Sequence, residues 1–144
     1  MSPSLAIVIV VLIAAFGIAY VINRLIALRA GLLKETPPDA TAAPPLDLSD
    51  LGLSTTGSTI VHFTAEWCGP CAGVRRVVDQ VCEELPAVAH VEIDMDANPD
   101  AARRLSVLSL PTTFIYDADG RRRYRASGVP TAADLRSALQ PLLA

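Results

Sequence analysis

The sequence predicts an α/β domain with a central mixed sheet flanked by helices, preceded by one N-terminal transmembrane helix. Three observations carry this expectation. An uncharged apolar run opens the chain. Behind a Pro-rich stretch, strand-type and helix-type patterns alternate in the order β-α-β-α-β-β-α. Two cysteines spaced C-x-x-C fall where the first strand gives way to the first helix.

Leu5 to Ile22 reads LAIVIVVLIAAFGIAYVI, eighteen residues without a charge. At 1.5 Å per residue it spans roughly 27 Å, close to the ~30 Å hydrocarbon core of a bilayer. A soluble helix in so small a protein is rarely apolar all round. Residues 5–22 are therefore assigned to a membrane, and residues 1–30 to an anchor. A cleaved signal peptide is the competing assignment, but it wants a basic stretch first, and Met1-Ser-Pro-Ser has no basic side chain. Arg24, Arg29 and Lys34 follow the run and no charged side chain precedes it. The positive-inside rule then places the C-terminal domain on the cytoplasmic side, with an extracytoplasmic placement as the alternative.

Residues 31–50 are assigned to a linker. From Thr36 to Pro45 the chain reads TPPDATAAPP, and four Pro in ten residues favour an extended, semi-rigid tether. Residues 51–144 are then one domain, long enough for a single small core.

Within it, Thr59 to Ala65 (TIVHFTA) reads as a strand with Ile60, His62 and Thr64 on one face and Val61, Phe63 and Ala65 on the other. Both faces are fairly apolar, as in a central strand covered on both sides. Pro70 to about Leu85 reads as a helix, with Val74, Val77, Val78, Val81 and Leu85 at helical spacing and Pro86 ending it. Val88 to Asp94 is a second strand. Asn98 and Pro99 open a helix that runs to about Ser106. Thr112 to Tyr116 is a third strand, Asp117 to Gly120 a turn, and Arg121 to Ala126 the returning strand. Thr131 caps a last helix expected through Leu142. One βαβ crossover and a terminal hairpin make the sheet mixed.

The formal net charge is −3, and from Thr56 onward nine Arg face eleven Asp or Glu. That balance argues against a nucleic-acid partner. Three cysteines are too few and too odd for a disulfide-stapled secreted scaffold.

Cys68 and Cys71 lie at the start of a helix, where unpaired N–H groups and a partial positive charge stabilise a thiolate. Cys71 is one turn on and faces the same way. Cys68 can attack a target disulfide, and Cys71 can then displace the target from Cys68. Half of a zinc site is the other reading of C-x-x-C, and the remaining donors would be Cys82, His62 and His90. Their spacing matches no usual zinc module, so no metal is expected. Cys82 itself reads as a small buried hydrophobe.

At Trp67-Cys68-Gly69-Pro70-Cys71, and again at Leu110-Pro111-Thr112, the sequence resembles the thioredoxin family, over roughly Ser58 to Ala144. The resemblance implies a thioredoxin-like fold and a protein-disulfide reductase with no bound cofactor beyond its own cysteine pair. It also implies a reductase or membrane electron donor as a partner. In thioredoxin, from which the figure itself comes, the reactive thiol falls from about 8.5 to about 7. The resemblance further implies a cis peptide before Pro111, and a substrate-binding surface made by Trp67, the backbone of Leu110, Pro111 and Gly128. Gly69 and Pro70 shape the loop between the cysteines. Where the family usually carries a buried Asp that handles the proton of the second Cys, this chain has His62. A neutral imidazole can take that task, or His62 is a satisfied core residue. Extracytoplasmic disulfide handling or cytochrome maturation, and a non-catalytic tethered binding module, stand as the alternative functions.

Overall fold

The computed structural model describes residues 3–29, 32–36 and 49–144. The chain divides into two units, Met1–Ala30 and Gly31–Ala144. The first is a single helix, α1 (Pro3–Arg29). Its stretch Ser4–Ile26 is long and apolar enough to cross a membrane, a test that a signal sequence also passes. Leu5, Val10, Phe16, Tyr20 and Leu25 all stand exposed. The helix thus has no core of its own to bury them in, as its uniformly apolar sequence implies.

The second unit is built on a five-stranded sheet of order β1-β5-β4-β2-β3. Its strands are β1 (Lys34–Glu35), β2 (Thr59–Thr64), β3 (Ala89–Asp94), β4 (Thr112–Tyr116) and β5 (Arg122–Ser127). The helices are α2 (Cys71–Glu84), α3 (Pro99–Arg104) and α4 (Ala132–Leu139). β2 and β3 are parallel, and the other neighbours are antiparallel. All six residues of β2 are buried. This follows from their β-branched and aromatic character and from cover on both faces. On one face Val61, Phe63, Ile93, Phe114 and Tyr116 pack against Ala101, Ala102 and Leu105 of the α3 region. On the other, Ile60 and Ile115 pack against Val74, Val78 and Val81 of α2 and Leu135, Ala138 and Leu139 of α4. The two-residue period of the strand sorts these side chains into two cores.

Lys34 and Glu35 were expected in the tether by composition, yet they pair with Arg125 and Tyr124 of β5. The Thr36 N–H extends the pairing to the Arg123 carbonyl at 2.8 Å. An edge strand joins through backbone hydrogen bonds, which composition does not report. The rest of the Pro-rich run, residues 37–45, lies outside the described residues.

α4 also departs from expectation. It ends at Leu139 and continues as a 3₁₀ turn, Gln140–Leu142. Pro141 lacks the N–H that another α-helical turn requires. At the other end, the Thr131 hydroxyl accepts from the Asp134 N–H at 3.1 Å, and the Asp134 carboxylate accepts from the Thr131 N–H at 3.3 Å. This reciprocal cap supports a helix of only eight residues. Thr131→Ala is expected to lower stability by about 1 kcal/mol, read as a lower urea midpoint with an unchanged slope.

Candidate active site

The site is assembled where β2 ends and α2 begins. The chain leaves β2 at Thr64, turns through Glu66 and Trp67, and enters α2 at Cys71. The Cys68 N–H donates to the Ala65 carbonyl at 3.0 Å, and the Cys71 N–H to the Cys68 carbonyl at 3.3 Å. These bonds hold the two cysteines within one tight turn. Pro70 precedes the first helical residue at φ −65°, a dihedral that its ring imposes in advance of the helix. Cys68 and Cys71 are joined by a disulfide.

The two sulfurs are not equivalent. Cys68 keeps 9 % of its surface exposed and Cys71 only 2 %. Cys71 sits over the end of β2, with its Sγ 3.8 Å from the Phe63 carbonyl oxygen. Ala65 and Leu110 complete the apolar contacts of the pair. Leu110 and Pro111 are joined by a cis peptide, as the resemblance implied. The Gly128 N–H donates to the Pro111 carbonyl at 2.9 Å, and Gly128 adopts φ +88°, a conformation that favours glycine. Leu110, Pro111 and Gly128 are therefore brought together beside the cysteines.

Trp67 is 65 % exposed, so it is not core filler. Its indole N–H donates to an Asp96 carboxylate oxygen at 2.9 Å. Asp96 lies in the loop after β3, and nothing in the local pattern marks it as a partner. Gly69 and Pro70 are exposed at the crest of the turn.

His62 is fully buried on β2. Burial pulls its pKa down to about 4, against the opposing pull of Glu92. The ring is neutral at physiological pH. Its Nδ1 lies 3.3 Å from His90 Nε2 and 3.8 Å from Glu92 Oε2. Its Nε2 is buried without a hydrogen-bond partner among the described residues. His90 and Glu92 come from β3, and Asp79 and Arg75 from α2 close the group. Sequence reading named His62 but not this surrounding. A signal for it was present: with β2 and β3 parallel, His62 faces Glu92 across the ladder.

Cys82 is a free thiol, partly buried against the α2–α4 core. Burial pushes its pKa up, which disfavours the thiolate. The Arg-rich β5 is used within the domain. Arg122 and Arg125 lie 5.7 and 5.4 Å from the centre of the Phe114 ring, and Arg123 pairs with Asp117 at 3.3 Å.

The thioredoxin family model matches residues 51–141, more than half of the chain. The chain belongs to the thioredoxin family. It is 36% identical to a thioredoxin of Chlamydia trachomatis over 74 residues, 51% of this chain and 72% of that one. It is 35% identical to a thioredoxin of Mycolicibacterium smegmatis over 94 residues, 63% of this chain and 83% of that one. Among solved structures, chloroplastic thioredoxin z superposes with a TM-score of 0.56 at 37% identity, covering 60% of this chain and 79% of that one. Mitochondrial thioredoxin 3 of Saccharomyces cerevisiae superposes with a TM-score of 0.53 at 27% identity, covering 59% of this chain and 78% of that one. Thioredoxins exchange thiols and disulfides with protein substrates through their own cysteine pair, without a cofactor. This thioredoxin-family chain is accordingly a protein-disulfide oxidoreductase.

Proposed function

We propose that this chain is a membrane-tethered reductase of protein disulfides, with Cys68 as the attacking thiol and Cys71 as the resolving one. The difference in exposure between the two residues carries the assignment. In the reduced protein, the Cys68 thiolate at the α2 N-terminus attacks one sulfur of a target disulfide. A mixed disulfide forms, and the other target sulfur leaves as a thiolate and takes a proton. Cys71 then attacks Cys68, the second target sulfur leaves, and the Cys68–Cys71 bridge closes. Two electrons pass from the dithiol to the target. A dithiol-bearing reductase or a membrane electron donor restores the pair.

Trp67, held by Asp96, and the Leu110–Pro111 backbone beside Gly128 form the surface on which the target chain lies. A substrate strand can pair with the backbone of half-buried Leu110. Gly69 and Pro70 keep the loop between the cysteines low and preset for the helix. His62 is buried on β2, the strand that leads into the pair, at the position where relatives usually carry a buried Asp. We assign it the same task, taking the proton of Cys71 as that thiol attacks.

The tether is α1, and the charges at its C-terminal end favour a cytoplasmic domain, since Arg24 and Arg29 fall in its last turns and Lys34 follows it. A single Cys engineered at Ala42, in the Cys82→Ala background, tests this in intact cells with a membrane-impermeant maleimide. It is expected to stay unlabelled until the cells are lysed. Labelling before lysis would place the domain outside and make the chain an extracytoplasmic exchange protein.

A further inference from the structure

A second cluster, which shares His62 with the site above, joins β2, β3 and α2. His62 Nδ1, His90 Nε2 and an oxygen of Glu92 all lie within 4.8 Å of one another. The spacing bears on what they do. A zinc ion bound tetrahedrally at about 2.0–2.1 Å holds neighbouring donor atoms roughly 3.4 Å apart. His62 Nδ1 stands 3.3 Å from His90 Nε2 and 3.8 Å from Glu92 Oε2. The first separation lies at the outer limit of a hydrogen bond. It suits two ligands of one ion.

The surrounding groups fix two of the ligands, His90 and Glu92. Asp79, a carboxylate that can only accept, receives the His90 Nδ1–H at 3.0 Å. This leaves His90 Nε2 with a lone pair, directed at His62. A carboxylate behind a ligating histidine is the usual outer shell of a metal site. Arg75 grips both oxygens of Glu92, through Nε at 2.7 Å and through its terminal nitrogen. It holds the carboxylate in one orientation. Arg75 and Asp79 lie one turn apart on α2, so one helix face supplies both supports. Their charges and that of Glu92 leave the group net negative by one, which favours a cation. Side chains of His90 and Glu92 keep 16 % and 29 % of their surface exposed, so an ion can reach them from solvent.

We propose that His62, His90 and Glu92 form a binding site for a zinc-class divalent ion, with Asp79 and Arg75 as its outer shell. Two imidazoles and one carboxylate match the donors such ions select, and magnesium, which demands oxygen, is excluded. Three protein ligands leave one coordination position open to water. The site does not rest on the proposed reductase role: none of its ligands is a cysteine, and metal binding is read without turnover and with variants of His90, Glu92 and Asp79 rather than of His62.

The test uses the full chain in detergent, untagged, with Cys68–Cys71 oxidised and Cys82→Ala, so that no thiol remains to bind metal. Equilibrium dialysis against zinc chloride is expected to give one ion per chain, and against magnesium chloride none. Cobalt(II) is expected to show the visible d–d absorption of a four-coordinate ion, without a sulfur-to-cobalt band. His90→Ala is expected to abolish both signals. Asp79→Asn is expected to weaken zinc binding by roughly 10- to 100-fold. His90 is on the sheet edge, and Glu92→Gln provides a second ligand variant if His90→Ala fails to fold. Zinc bound as tightly by a folded ligand variant as by the parent, or bound only after reduction of the disulfide, would overturn the proposal.

Discussion

Cys71→Ser is expected to convert a turnover enzyme into a trap. Cys68 still attacks a target disulfide, because its own exposure and its place at the α2 N-terminus are unchanged. The mixed disulfide then has no neighbouring thiol to resolve it. A hydroxyl cannot form an S–S bond, so release waits for an external thiol at ordinary solution concentration. A positioned thiol acts at an effective concentration that reaches about 10⁵ M or more in well-oriented systems. Turnover with a dithiol donor should therefore fall to background, while covalent target–enzyme adducts accumulate on non-reducing gels. Cys68→Ser should lose both turnover and adducts. The reverse pattern, adducts with Cys68→Ser and none with Cys71→Ser, would interchange the two roles.

Phe63→Ala is expected to be the most damaging single change to the fold. Phe63 is fully buried near the C-terminal end of β2, edge-on to Phe114 at 6.1 Å and packed with Val61, Ile93 and Leu105. Truncation removes the ring and leaves a cavity that a close-packed, two-sided sheet cannot collapse. The expected loss is about 3–5 kcal/mol, a large part of the roughly 5–15 kcal/mol by which domains of this size are folded. Urea unfolding should show a strongly lowered midpoint. Because the Phe63 carbonyl lies under Cys71, the same change should slow resolution of the mixed disulfide more than its formation. A midpoint within experimental error of the parent's would show that β2 is not the core of the domain.

Much of this molecule is legible from local chemistry. The strand Thr112–Tyr116 is found as expected, and β2 and α2 lie within one residue of expectation, because each boundary is marked by a residue with a backbone reason to stop: Pro86 after α2, Asp117 and Gly120 after β4. The cysteine pair was readable for the same reason. Its four-residue span contains its own helix start, so spacing alone placed both sulfurs on one turn. Trp67 was placed on the substrate-binding surface by the resemblance to thioredoxins. Its partner Asp96 was not readable, since the two are 29 residues apart and meet only when β3 lies beside β2.

The sequence by itself determined the anchor's apolar character, the order of elements from β2 onward and the chemistry of Cys68 and Cys71. All three depend on neighbours within a few positions, and periodicity reports such neighbours directly. Only the tertiary structure decided that Lys34–Glu35 belong to the sheet, and that His62 is ringed by His90, Glu92, Asp79 and Arg75. Those contacts depend on strand order and register. They arise from where the two cores force the sheet to close, and no short stretch of chain encodes that alone.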